Sequence, residues 1–137
     1  MYSFGKHSIS ELSTCHPSLI KLFEEVVKLY DCSVIQGRRD KDTQDIYFRE
    51  GKSKLQWPNS KHNVLNATDL SKAVDVTPCV NGVISWNSNQ CYHFAGYVKR
   101  VAESMNISIR WGGDWDQDND LNDQTFDDLV HFELKEI

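Results

Sequence analysis

The chain has 137 residues, 39% of them hydrophobic and 26% charged, which suits one ordinary globular domain with a real core. A formal net charge of -5 and an isoelectric point near 5.4 speak against general binding to nucleic acid or to anionic membranes. No run approaches membrane-spanning length, the first ten residues lack an apolar leader segment, and Cys15, Cys32, Cys79 and Cys91 show no CxxC pairing, so buried thiols are expected rather than a disulfide framework or a four-cysteine zinc site.

Residues 8–12 suit a short opening helix after Gly5 and Lys6. His16-Pro17-Ser18 then starts a stronger one, because proline fits a first helical turn, and Leu19, Leu22, Phe23, Val26, Leu29 and Tyr30 recur at helical spacing until about Asp31. His16 reads as a helix-start residue. Residues 32–36 predict a short strand that stops at Gly37. Arg38 and Arg39 follow at a strand-to-loop junction, where an arginine can face a cleft and clamp a carboxylate; two solvated surface arginines fit that stretch equally well. Residues 43–50 predict a helix with Gln44 and Tyr47 one turn apart and Gly51 as its terminator.

A polar connection carrying Trp57-Pro58 leads to Ser60-Lys61-His62 and a polar loop. Residues 73–78 alternate as a strand with Asp75 on one face, a residue disfavoured there by propensity and costly to bury unless a histidine or a metal pairs with it. Asn81-Gly82 between short apolar pairs is a hairpin signal. Residues 88–105 predict a helix whose apolar side carries Cys91, Phe94, Ala95, Val98, Val101 and Ala102, while His93 on it has no partner at metal-ligand spacing. A strand over residues 107–111 runs into Gly112-Gly113-Asp114-Trp115 and an acidic stretch to Asp128. Asp116, Asp118 and Asp120 alternate as in a calcium loop, but the central glycine and terminal glutamate of an EF-hand are missing, so a solvated loop is favoured over weak divalent-cation binding.

The last strand, residues 130–134, supplies what His62 and Asp75 lack. Asp128 lies three residues before His131, and a tight turn at the mouth of that strand would let both converge on one point. Two imidazoles and one carboxylate form a catalytic zinc set with a fourth position for water, and a spare acid can take a proton from that water as it attacks a carbonyl.

The wording around these residues resembles the peptidoglycan-peptide metallopeptidases, the zinc D-alanyl-D-alanine carboxypeptidases and dipeptidases and the phage L-alanyl-D-glutamate endopeptidases. The shared pieces are Cys15-His16-Pro17, Gly37-Arg38-Arg39 with Gln44 and Tyr47, Gly51-Lys52-Ser53-Lys54, Ser60-Lys61-His62, Ala73-Val74-Asp75 with Pro78, Trp111 through Trp115, and Asp128 through Leu134. The resemblance implies an α+β fold of the D,D-peptidase type, a small antiparallel sheet with helices on one side and the site in a groove across it. It implies His62, Asp75 and His131 as zinc ligands, Asp128 as the acid that activates the attacking water, and Arg39 as the arginine that binds substrate and steadies the developing oxyanion. Ser60 and Glu133 are then expected to orient ligands through hydrogen bonds. The loop after His62 is longer than is common in the family and contains Asp69, which falls close to the shorter family spacing and competes for the ligand role; Ala73 and Pro78 frame Asp75 as the family frames its ligand. The implied activity is zinc-dependent hydrolysis in the peptidoglycan stem peptide by a monomeric phage endolysin, made in the host cytoplasm and reaching the wall after a holin opens the inner membrane. The alternatives are a D,D-carboxypeptidase and a non-catalytic wall-peptide binder.

Overall fold

A computed structural model describes residues 1–123 and 128–135. Helix α1 (Lys6–Leu12) and helix α2 (Pro17–Leu29) precede strand β1 (Cys32–Gln36) and helix α3 (Lys41–Arg49). Strands β2 (Ala73–Val80) and β3 (Val83–Ile84), helix α4 (Ser88–Ser104), strand β4 (Ile109–Gly112), a 3-10 turn (Leu121–Asp123) and strand β5 (Asp128–Leu134) complete the chain. The start signals act locally as their chemistry requires. The His16 ring accepts from the Ser18 N–H with Pro17 behind it, and the Asp40 and Asn87 side chains cap α3 and α4 through the Thr43 and Gln90 amides. Between β2 and β3, Asn81 and Gly82 both hold positive φ, 52° and 78°, as a two-residue hairpin turn demands.

The sheet is antiparallel in the order β1-β2-β5-β4, with β3 paired to β2. Because side chains alternate across a strand, Val74, Val76, Phe132 and Leu134 share one face and Asp75, His131 and Glu133 the other. The apolar face meets the buried stripes of α2 and α4: Phe132 packs edge-on against Phe23 at 5.5 Å and Phe94 at 6.0 Å. Leu19, Leu22, Val26, Ala95 and Val98 fill the same core and are fully buried. Burying such side chains yields roughly 1.5–3 kcal/mol each, which is what holds the opposite, polar face of the sheet rigid. All four cysteines are free thiols; Cys15, Cys32 and Cys91 are buried and Cys79 is half-buried, and burial pushes the Cys15 thiol up to about 12.

One expectation is corrected. Asp128 does not come to His131 through a tight turn, because it is the first residue of β5 itself. Three residues apart in a regular strand, the two side chains would point to opposite faces. The register between β4 and β5 shifts instead: Trp111 pairs with Phe132 while Gly112 pairs with Asp128, so β5 bulges over residues 129–131 and the parity is reset. Gly112 makes this possible, since a Cβ there would overlap the Asp128 carbonyl oxygen.

Candidate metal centre and cleft

On the polar face of the sheet Asp75 stands directly opposite His131 across the β2–β5 pair. His62 enters from the loop after α3, its neighbour Asn63 bridging to Arg39 just beyond the end of β1. The three side chains converge tightly. His62 Nε2 lies 3.1 Å from Asp75 Oδ1 and 3.1 Å from His131 Nδ1, and His131 Nδ1 lies 3.5 Å from Asp75 Oδ1. All three are nearly sealed from solvent, at 1%, 9% and 5% exposure.

The remaining ring nitrogens fix where the lone pairs point. His62 Nδ1 donates to the Gly37 carbonyl at 2.7 Å, and a carbonyl can only accept, so Nε2 carries the lone pair. His131 Nε2 donates to Glu133 Oε1 at 2.8 Å, which turns Nδ1 inward. Three acceptor atoms therefore face one point. Their spacing fits a tetrahedral cation: ligand distances of about 2.0–2.1 Å imply edges of about 3.3–3.4 Å. His62, Asp75 and His131 are thus a group that can hold a metal ion.

Without a cation this arrangement needs a proton. Burial lowers the pKa of His62 and keeps it neutral. Burial also opposes charge on His131, but hydrogen bonds from its ring to Asp75 and Glu133 and the charges of Asp75 and Asp128 raise it to about 9. The Asp75 carboxyl, despite its burial, is held well below the usual carboxylate range by His62 and His131. Glu133 behaves likewise, lowered to about 2 in spite of its burial by His131, Arg110 and Lys61.

Asp128 sits beside the group, Oδ2 at 3.8 Å from His131 Nδ1, with its side chain 30% exposed to the cleft. Burial first, and then the Asp75 charge, push its carboxyl up to about 6, the range suited to a group that exchanges protons near neutral pH. Arg39 is 5% exposed and held at every nitrogen: Nε by Gln36 at 2.8 Å, Nη1 by Gln44 at 2.9 Å, and Nη2 by Asp75 Oδ2 at 3.4 Å. The Ser60 hydroxyl accepts from the His62 backbone N–H at 3.2 Å, so it meets the loop that carries the imidazole rather than the ring itself. Asp69 does not join the group; it is exposed, with its carboxylate on Asn66 and its carbonyl on Arg38. Asp114, Asp116 and Asp118, rather than Asp116, Asp118 and Asp120, bring carboxylate oxygens within 4.8 Å of one another; Asp120 caps the Asn122 amide, and residues 124–127 of the acidic stretch lie outside the described residues.

Several supporting residues escaped the sequence reading of the site. Gln44 is fully buried and joins Arg39 and Asn63 to Ser53 and the Leu55 carbonyl. Lys61 and Arg110 both bind Glu133, and the Trp115 ring lies 5.2 Å from that of His131. The signal for Arg110 was its alternation with the neighbouring Trp111, which puts the two on opposite strand faces; for Gln44 it was only the helical position one turn before Tyr47.

Residues 1–135 match the phage L-alanyl-D-glutamate peptidase family. The L-alanyl-D-glutamate peptidase of Escherichia phage T5 is 27% identical over 126 residues, covering 90% of this chain and 88% of that protein. The crystal structure of the Serratia marcescens L-Ala D-Glu endopeptidase ChiX superposes with a TM-score of 0.75 at 29% identity, over 97% of this chain and 90% of that one.

Proposed function

The chain belongs to the phage L-alanyl-D-glutamate peptidase family, and from that premise we propose that it is a zinc-dependent endolysin hydrolysing the L-alanyl-D-glutamate bond of the peptidoglycan stem peptide. The observation that carries the metal is the meeting of three lone-pair atoms at 3.1–3.5 Å, each aimed by a hydrogen bond or strand pairing behind it. His62, Asp75 and His131 are the proposed ligands. Held there, zinc would supply Lewis-acid polarisation of the scissile carbonyl and a water acidic enough to attack near neutral pH.

The protein's own groups have separate tasks. Asp128, open to the cleft and with a raised pKa, accepts a proton from the attacking water and returns it to the leaving amine nitrogen. Arg39 lines the cleft with its guanidinium fixed by Gln36, Gln44 and Asp75, so its charge is aimed at the oxygen that becomes anionic without reorganising during the reaction. Glu133 and the Gly37 carbonyl hold the two imidazoles in the tautomers that ligation needs. Ser60 fixes the backbone at His62.

Digestion of purified peptidoglycan by the zinc-loaded protein, with mass spectrometry of the new termini, tests the assignment. L-alanine carboxyl ends together with D-glutamate amino ends are expected. Release of terminal D-alanine would move the activity to a carboxypeptidase, and no new termini would leave a binder.

A further inference from the structure

The cleft beside the ligand group encloses about 370 Å³ and is lined by the cations Arg39, Lys52, Lys54, Lys61 and Arg110 against the carboxylates of Asp128 and Glu133. In a chain of net charge -5 this is a local excess of positive charge, and such a cleft selects an anionic ligand. Most of that charge already has duties. Arg39 is engaged at every nitrogen. The Lys61 ammonium spends its three donors on the carbonyls of Leu134 and Lys135 and on Glu133. Lys52 pairs with Glu50 far out on the rim, its side chain 63% exposed.

Arg110 differs. Its Nε and Nη2 both go to Glu133 Oε2, at 3.2 and 2.8 Å, and among the described residues the two N–H groups of Nη1 have no hydrogen-bond acceptor, on a side chain that lines the cleft. Its guanidinium lies 5.2 Å over the Trp115 ring, so its plane is set before any ligand arrives. Glu133 has two cations, Arg110 and Lys61, for a single carboxylate, and the cluster keeps a surplus positive charge at the wall.

The proposed substrate has a matching negative charge. A glutamyl residue whose nitrogen is the leaving group carries two carboxyls, and chain continuation consumes only one. The other remains an anion within a few bonds of the scissile nitrogen. We propose that Arg110 binds this free carboxylate and makes the enzyme select for it; the inference rests on the reading of the chain as an L-alanyl-D-glutamate peptidase. The contact is a charge-assisted hydrogen bond from a preorganised guanidinium, the kind that discriminates against a neutral isostere.

The test compares two synthetic peptides with the zinc-loaded enzyme: an L-alanyl-D-glutamyl peptide continuing through the γ-carboxyl with its α-carboxylate free, and its counterpart with that carboxylate converted to the primary amide. The wild type should favour the acid in kcat/KM by about 10- to 100-fold. Arg110→Gln should collapse that ratio towards one, and Arg110→Lys, which keeps the charge without the fork, should retain part of it. A wild-type ratio near one overturns the proposal. So does an Arg110→Gln enzyme that slows equally on both peptides with the ratio intact, since that is the mark of a residue acting only through Glu133. If Arg110→Gln folds poorly, Arg110→Lys carries the test of the residue: an acid-to-amide ratio equal to that of the wild type overturns the assignment to Arg110. Hydrolysis of neither peptide by the wild type would overturn the peptidase reading itself, a result distinct from equal hydrolysis of both.

Discussion

Metal binding at His62, Asp75 and His131 should be a competition with one proton. In the metal-free protein the pKa of His131 is about 9, raised against the effect of burial by Asp75, Glu133 and Asp128. At about pH 7, two units below that midpoint, roughly 99% of metal-free molecules carry the proton, and a cation must displace it. Two units amount to about 2.7 kcal/mol at about 1.36 kcal/mol each. Apparent zinc affinity should therefore rise about tenfold per unit between about pH 6.5 and 8.5 and level off above about 9. Competition against a chromophoric chelator at fixed ionic strength reads this slope, and calorimetry in two buffers of different ionisation enthalpy counts the released proton. The stability of the metal-free protein runs the other way. A folded pKa raised above the ordinary imidazole value of 6.5 stabilises fully below that pH and loses its contribution as the pH rises through about 9, by up to about 3 kcal/mol. Denaturant midpoints of the metal-free protein should fall across that window. A zinc affinity that stays flat from about pH 6.5 to 8.5 would refute the inward-facing lone pairs on which the site was built.

Asp128→Asn should keep its zinc yet lose about 10²- to 10⁴-fold in kcat, and full activity in that variant would remove Asp128 from the mechanism. In the wild type the acid limb of kcat/KM should have its midpoint at or below about 6, because a bound cation can only lower the Asp128 carboxyl from the value it has without one; a midpoint above about 7 would contradict this. Gly112→Ala forces a Cβ onto the Asp128 carbonyl, so it should cost about 1–3 kcal/mol of stability in denaturant titrations and, by moving Asp128, about 10²-fold in kcat. Asp75→Ala should lower zinc content on metal analysis while Asp69→Ala leaves it at the wild-type level, since only Asp75 stands within reach of both imidazoles.

Much of the architecture was legible because its signals are local. Pro17 after His16, the Asn81-Gly82 pair and the apolar stripe of residues 91–102 act through a few neighbouring bonds, and each element lies within a residue or two of where its pattern put it. The strand over residues 107–111 shows the limit, starting at Ile109 and reaching Gly112, because its ends are set by its partner β5 rather than by its own residues. The group of His62, Asp75 and His131 was reached by resemblance more than by spacing, since it is a sheet pairing and a loop crossing that bring together residues so far apart in the chain.

What the sequence could not reveal was the bulge, and the bulge decides which face of β5 Asp128 occupies. A regular β5 would put Asp128 on the face of Phe132, among the core side chains, where its carboxylate would have no partner and its burial would cost several kcal/mol. The three-residue register shift against β4 turns it to the face of His131 and leaves it 30% exposed. The same strand pair sets Arg110 opposite Glu133 in ordinary register, on the regular side of the shift. One irregularity thus separates two kinds of charge along a single strand. Glu133 is sealed, ionised and hydrogen-bonded to His131, while Asp128 stays open to the cleft with a raised pKa. Two carboxylates of similar intrinsic acidity acquire different environments from where the backbone breaks its alternation, and Gly112 is the residue that permits the break.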